Sequence, residues 1–195
     1  MADFPDICAS DYNFTLKYNT QNYQSPLTKS TQTGSLTGDE WRGVSTYTNK
    51  YGAEAKTLKA FVLGLKGQVG RFNYTPPDLD QTGDAVAVAT VNGVGQLGDS
   101  LNIQSADLST TIYRVGDYIT VNGELKSVIT DCLTDGAGLG VVNFVPPLRQ
   151  APADLSPIEF EKPYMIAKLE DDEQASFQVS SPVIYNATFS IVEVF

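Results

Sequence analysis

Only one stretch of the sequence, residues 53–66, has the apolar periodicity of an amphipathic helix, and this limits the chain to a mainly β fold. Four apolar residues of the stretch share one stripe at the i, i+3, i+4, i+7 positions: Leu58, Phe61, Val62 and Leu65. Gly67 follows as a stop signal. We expect this stripe to anchor the helix on a sheet or on a neighbouring subunit.

Short runs rich in β-branched and aromatic residues, separated by turn residues, make up most of the remaining sequence. The clearest is a hairpin over Asp117–Val128, in which Asn122-Gly123 separates two alternating runs as a type I′ turn requires. Residues 21–38 instead predict a loop or a long irregular arm. Further strands are predicted at residues 14–18, 41–48, 71–75, 85–91, 140–145 and 164–169, and between Pro182 and Phe195.

Two Pro-Pro pairs, at residues 76–77 and 146–147, border a region with a different composition. Between them Gly, Asp, Ser and Thr become frequent among short apolar runs. We therefore predict a small antiparallel β-module over residues 78–150, inserted into a host β-domain formed by residues 1–77 and 151–195. A chain of 195 residues suits one ordinary domain or two small ones.

The absence of histidine excludes several kinds of site. Nucleophiles with a histidine base, histidine-bearing zinc sites and imidazole catalysis all need that residue. Cys8 and Cys132 are far apart, lack metal-ligand spacing and are expected to be free thiols. The start of the chain lacks the basic and apolar regions of a signal peptide, and no apolar run approaches a membrane span of roughly 18–20 residues. We expect synthesis in the cytoplasm and no membrane association.

The chain is acidic, with a net charge of −10 and a pI near 4.3. Nucleic-acid binding depends on Lys and Arg, so this balance argues against it. One interpretation is solubility alone. Another is an acidic inner surface that lines a conduit, which DNA crosses without binding.

Three motifs could carry chemistry, but each has a simpler interpretation that we favour. Residues 78–84 resemble the first half of a calcium loop, yet Ala89 stands where a closing Glu is needed, so we favour a polar turn. Residues 170–173 place four carboxylates in a row, which could act as an acid–base pair or bind a divalent ion, but we favour a solvated loop tip. Gly93, Gly95 and Gly98 spell a dinucleotide-binding pattern, but no helix follows, so we predict a loop. We predict no metal, cofactor or catalytic residue.

The aromatic residues leave two alternatives open. Trp41 and the tyrosines could stack on sugars, as in a carbohydrate-binding module, or they could be core or subunit-interface residues. We favour the second alternative. The candidates for packing or interface contacts are Trp41, Phe72 and the helix stripe Leu58, Phe61, Val62 and Leu65.

Three motifs stand in a characteristic order. The first runs from Trp41 through the helix to Phe72 and a Pro-rich turn; the second joins Gly116–Ile119 to Val145–Arg149 through Asp131 and Gly138; the third is Phe189–Phe195. Together they resemble a family of tailed-phage proteins encoded among the tail-tip genes, often called distal tail or baseplate components. Lys66 departs from the arginine usual in that family, and the first 40 residues match none of its motifs.

The resemblance implies a β-sandwich or split barrel with one flanking helix, whose strands pair between subunits into a ring around the tail axis. Six copies are usual in such proteins, which at −10 each gives about −60 around the conduit. The inserted module would face outward, toward fibres, other tail proteins or host glycans.

Three functions follow as hypotheses. The first is a structural, non-enzymatic tail subunit of the virion, made in the host cytoplasm; its partners are its own copies and the tube, tip or fibre proteins, with DNA passing through unbound. A variant of this first hypothesis is another tail component, such as a tube or adaptor protein. The second hypothesis is a carbohydrate-binding module for host attachment. The third is a metal-dependent hydrolase using the carboxylates near 78–84 or 170–173.

Overall fold

The computed structural model describes residues 1–174, 176–181 and 184–195 and confirms the predicted fold class. Within these residues it is mainly β, with one α-helix, α1 (Gly52–Leu65). The strands in chain order are β1 (Ala2–Asp3), β2 (Asp11–Lys17), β3 (Thr20–Gln24), β4 (Thr31–Ser35), β5 (Glu40–Lys50), β6 (Phe72–Tyr74), β7 (Thr90–Val91), β8 (Gly98–Gln104), β9 (Thr111–Tyr113), β10 (Tyr118–Val121), β11 (Glu124–Thr130), β12 (Cys132–Leu133), β13 (Leu139–Leu148), β14 (Ile158–Glu159), β15 (Met165–Leu169), β16 (Gln178–Ser180) and β17 (Ile184–Glu193).

The host domain is built on one large sheet, which we call the first sheet. Its strand order is β1-β6-β15-β17-β5-β2, with β16 added beside β17. The β1–β6 pair is parallel and the other pairs are antiparallel. Along β5, residues on one face are buried and those on the other are more exposed, which is the alternation expected of a sheet with one covered face.

The helix covers this sheet through the predicted stripe. Leu58, Val62 and Leu65 are buried, and Phe61 is half-buried with its ring 5.6 Å from that of Phe72. The helix ends one residue earlier than predicted, because Lys66 takes a left-handed conformation with φ of 55° and its N–H bonds the carbonyl of Leu63.

The second unit is a small barrel-like sheet, which we call the barrel. Its strand order is β14-β10-β11-β13-β8-β7, and it closes through a bridge between Thr90 and Pro157. The N–H of Ile158 also bonds the carbonyl of Ala89 at 2.9 Å. The interior forms a second hydrophobic core, separate from the one under α1. A barrel that closes in this way leaves no long strand edge of its own.

The predicted Asn-Gly hairpin is confirmed. Strands β10 and β11 pair antiparallel, with Val121 opposite Glu124, and the turn residues Asn122 and Gly123 have φ of 53° and 77°. Positive φ at both central positions defines a type I′ turn. The hairpin supplies two neighbouring inner strands of the barrel sheet.

The strand predicted at residues 85–91 is wrong over most of its length, because only β7 forms. The N–H groups of Val86 and Ala87 both donate to the Asp107 carboxylate, at 2.9 and 2.8 Å. These donors are therefore unavailable for a strand ladder. The prediction for residues 21–38 also needs correction: β3 and β4 form a regular hairpin with no shift of register.

The module and the host domain are joined by neighbouring strands. The chain leaves the first sheet at β6 and returns at β15, which pairs directly with β6. The barrel's last strand is β14, so sheet membership places the return after Glu159 and later than the predicted residue 151. The 146–147 proline pair is also not a border but lies inside β13, where the register shifts and the missing N–H groups are tolerated. Pro182, where a closing strand was predicted to begin, lies outside the described residues.

We predict that Leu58→Ala lowers the free energy of unfolding by about 2–5 kcal/mol, because it leaves a cavity between α1 and the first sheet. Leu58 is 2% exposed, whereas Leu63 of the same helix is 53% exposed. Leu63→Ala therefore serves as the matched control and should change stability by less than about 0.5 kcal/mol. Urea unfolding of both variants measures the difference; equal losses would contradict this packing.

Candidate assembly surfaces

The predicted packing candidates lie in the interior of the chain. Trp41 stacks on Phe14 with ring centroids 4.9 Å apart, and its indole N–H donates to the carbonyl of Leu125 at 3.0 Å. Because Leu125 belongs to β11, this residue joins the first sheet to the barrel. Phe72 and the helix stripe fill the core under α1. None of these six side chains offers an open aromatic face for sugar stacking.

Four charged side chains, which we call the charged junction, are buried where the barrel meets the first sheet. Lys126 Nζ donates to Glu124 Oε2 at 2.7 Å, and Arg149 Nη2 donates to Glu193 Oε2 at 2.8 Å. Their side chains are between 0% and 14% exposed. Two cations face two carboxylates, so the formal charges balance. Removal of any one member leaves an uncompensated charge in a buried site.

The charged junction connects segments that are far apart in the sequence. Glu193 lies on β17, and its Oε2 also accepts the backbone N–H of Trp41 at 3.2 Å. The Arg149 guanidinium donates to the carbonyl of Asp39 and lies 3.7 Å from the ring centroid of Phe195. This arginine therefore contacts the ends of two strands of the first sheet. It fixes the position of the barrel relative to that sheet.

Electrostatics within the junction reflect this burial. Burial lowers the pKa of Lys126, and the hydrogen bond and charge of Glu124 oppose that change. A further hydrogen bond from Lys126 to the carbonyl of Pro147, at 2.9 Å, uses another of the ammonium's protons. The ammonium is thus held by a carboxylate and a carbonyl.

Sequence reasoning did not identify the charged junction. In the hairpin, Glu124 and Lys126 flank Leu125, which is the pattern of a strand with one face in solvent. The structure instead covers both faces of β11: Leu125 packs in the core under α1, and Val128 packs in the barrel core. The alternation of charged and apolar residues in β11 predicts a strand with one buried face. The burial of its charged face depends on packing against the first sheet, which no local pattern in the sequence indicates.

The motif residue Asp117 organises the loops at one end of the barrel. Its carboxylate accepts the backbone N–H groups of Thr82, Gly83 and Arg114, at 2.7, 3.0 and 2.8 Å. The calcium-like segment 78–84 therefore directs N–H donors toward an outside carboxylate. Asp84 of this segment pairs with Arg114 at 2.9 Å. The segment is a structural loop, held by contacts within the chain.

The acidic run at 170–173 also has partners within the chain. Glu170 pairs with Arg42 at 2.7 Å, and Asp172 accepts the N–H of Gln68 at 2.8 Å, beside the short 3₁₀ helix Gly67–Val69. Gly93 and Gly95 lie in the loop between β7 and β8, as predicted, and Gly98 is the first residue of β8. In the described part of the chain, no group of three or more Cys, Asp or Glu residues is arranged to hold a metal ion.

The outer edge of the first sheet is open at β2. This strand pairs with β5 over seven residues in unbroken register, and no strand of the described chain covers its other side. Natural edge strands are usually protected by proline, a bulge or an inward charge. The first and last residues of β2, Asp11 and Lys17, are charged. The residues between them include no proline, no bulge and no inward charge. The free N–H and C=O groups of β2 can accept another strand.

A hairpin formed by β3 and β4, which we call the arm, extends directly from the end of β2. Every residue from Tyr18 to Gly38 is exposed except Ser25, so neither face of the arm packs on the rest of the chain. An isolated two-stranded hairpin is marginally stable in water. The arm is therefore a surface that lacks the contacts such a hairpin needs.

The barrel exterior differs from that of a sugar-binding module. Its aromatic residues, Tyr113, Tyr118, Phe144 and Phe160, are all buried or half-buried. Stacking on a sugar needs an exposed ring, and the described part of the barrel offers none.

No helix among the described residues has the length and apolar character needed to cross a bilayer.

We predict that Arg149→Met lowers the free energy of unfolding by about 3–5 kcal/mol, because it leaves Glu193 buried without its partner. Urea unfolding can be followed by the fluorescence of Trp41, the only tryptophan. Arg114→Met is the matched control, since that arginine is 48% exposed and its ion pair is on the surface. A similar loss in both variants would show that the charged junction has no special role.

No model of a known protein family matches the chain, and no curated protein matches it either.

Proposed function

We propose that this protein is a structural, non-enzymatic subunit of a phage tail tip, which assembles with its own copies into a ring around the DNA conduit and connects the tail tube to the tip or fibres. The observation that carries the proposal is the arm beside the open β2 edge. The edge has unpaired backbone groups and the arm has uncovered side chains, and the arm follows β2 directly in the chain.

Strand edges and exposed hairpins support assembly for a simple physical reason. Unpaired N–H and C=O groups of an edge strand are a template for pairing with another chain. Every copy of the protein carries such an edge strand, so a second copy is always present as a pairing partner. If the arm and the β2 edge bind a different surface of the neighbouring copy, the contact is heterologous. Heterologous contacts form a ring when the rotation between neighbouring copies closes.

Charge supports a conduit and not a binding surface for DNA. The net charge of −10 on each copy multiplies in a ring, and a negative wall repels phosphate. The buried cations Lys126 and Arg149 are neutralised by carboxylates within the charged junction. They are therefore not available to contact a DNA backbone.

We predict that the purified chain forms a closed ring of identical copies as its concentration rises. Light scattering coupled to size-exclusion chromatography gives the mass, and electron microscopy gives the symmetry. The control is a chain whose residues 20–35 are replaced by two glycines. Leu36 N–H bonds Asn19 O at 2.8 Å, so the ends of the arm are adjacent and the deletion should not disturb the first sheet.

The two chains should differ in assembly but not in the cooperativity of unfolding. A full-length protein that stays monomeric at the highest attainable concentration, and is also absent from assembled tails, contradicts the proposed function.

We also predict that neither the ring nor the monomer retards duplex DNA in a gel-shift experiment at low ionic strength, because the acidic surface repels the phosphates. Low salt is the most demanding condition, since electrostatic binding is strongest there. Retardation that disappears as salt is added would show a basic DNA-binding surface and would contradict passage without binding.

A further inference from the structure

We propose that the tip of the arm of one copy binds in an apolar cavity at the base of the arm of the next copy. We call this cavity the socket; it has a volume of about 630 Å³. The inference rests on the proposed ring and names the contact that closes it. The residues that line the socket are Leu36, Asp39, Leu97, Pro147, Arg149 and Phe195, together with the backbone between them.

The arm tip has the chemistry of an inserting group. Pro26 and Leu27 form the turn between β3 and β4, and Leu27 is 92% exposed. An aliphatic side chain so fully exposed at the end of a projecting hairpin contributes nothing to the stability of its own chain. Burial of a leucine side chain away from water is favourable, and a neighbouring copy can supply that burial.

The socket has the chemistry of an acceptor. Leu36, Leu97, Pro147 and Phe195 form apolar walls from four separate segments of the chain. The guanidinium of Arg149 lies under the Phe195 ring and is already paired with Glu193, so it adds no free charge to the floor. A cavity of about 630 Å³ is within the usual range of pockets that enclose a compact apolar ligand.

The arm tip cannot reach the socket of its own chain. Ser35, at the base of the arm, lines the socket, while the paired strands run without a register shift from Thr20–Ser35 to Gln24–Thr31. At about 3.4 Å per residue this paired stretch alone separates the tip from the base by about 14 Å. The tip must therefore enter the socket of another copy.

Charge favours the same pairing. Between Lys17 and Asp39 the arm carries only one charged residue, Lys29, in a chain whose net charge is −10. The arm is thus the part of the surface that approaches an acidic copy with least repulsion. Asp99, which is exposed and directly follows the socket residue Gly98, provides a carboxylate near the point of entry for Lys29.

Disulfide formation between introduced cysteines tests the contact. In a Cys8→Ser background, the pair Leu27→Cys and Leu97→Cys is oxidised mildly and run on a non-reducing gel. Native Cys132 should stay inert, because it is buried and its thiol pKa is raised to about 11. The control pair is Leu27→Cys with Leu133→Cys, since Leu97 is 59% and Leu133 is 62% exposed.

We expect the first pair to give a ladder of cross-linked copies that ends at the size of the ring, and the control pair to give none. A mixture of the two single variants, Leu27→Cys and Leu97→Cys, should give only dimers, as a contact between copies requires. A ring that forms without these cross-links overturns the socket and leaves the proposed function standing. A cross-link within one chain overturns the socket as well. A protein that stays monomeric overturns the ring itself.

A second variant measures the strength of the contact. Leu27→Asp should raise the concentration needed for half-assembly by at least about tenfold, because it places a charge in an apolar cavity. Leu133→Asp, on the barrel, should leave assembly unchanged. Equal effects of the two variants would contradict insertion of the arm tip.

Discussion

The buried ion pair between Arg149 and Glu193 sets the position of the barrel on the first sheet. Arg149 follows the longest strand of the barrel, and Glu193 lies near the end of the longest antiparallel pair in the first sheet. A charge buried at such a boundary is tolerable only with its counterion in place. The barrel can therefore occupy one position on the sheet, and Trp41 seals that position by bonding across it.

A rigid core of this kind accounts for the contrast with the surface beside it. The two hydrophobic cores and the charged junction are buried, whereas β2 has an open strand edge and the arm is exposed to solvent. This open edge and the exposed arm lie in one continuous segment, residues 11–38. A protein that meets copies of itself benefits from this division, since assembly then orders few residues of the folded core and its entropic cost is small.

Local patterns in the sequence were sufficient for the elements whose stability is local. The stripe that includes Leu58 and Val62 predicted the helix, and Asn122-Gly123 predicted the central hairpin, because each depends on neighbours in the chain. The failures share a different cause. Residues 85–89 have strand composition, but the carboxylate of Asp107, in a distant loop, accepts the N–H groups of Val86 and Ala87. The charged junction likewise depends on four residues that the fold brings together. Their spacing in the sequence follows no pattern that would predict the contact.

The strands that bracket the barrel have a consequence for how such a chain can vary. Because β6 and β15 are hydrogen-bonded neighbours, with Tyr74 opposite Met165, the host sheet would remain continuous if a simple reverse turn joined them. Loop-closure entropy depends only weakly on what lies between two such strands. The barrel is in this sense an exchangeable cassette, with two conditions on any replacement: it must supply a cation for Glu193 and a carbonyl for the indole of Trp41.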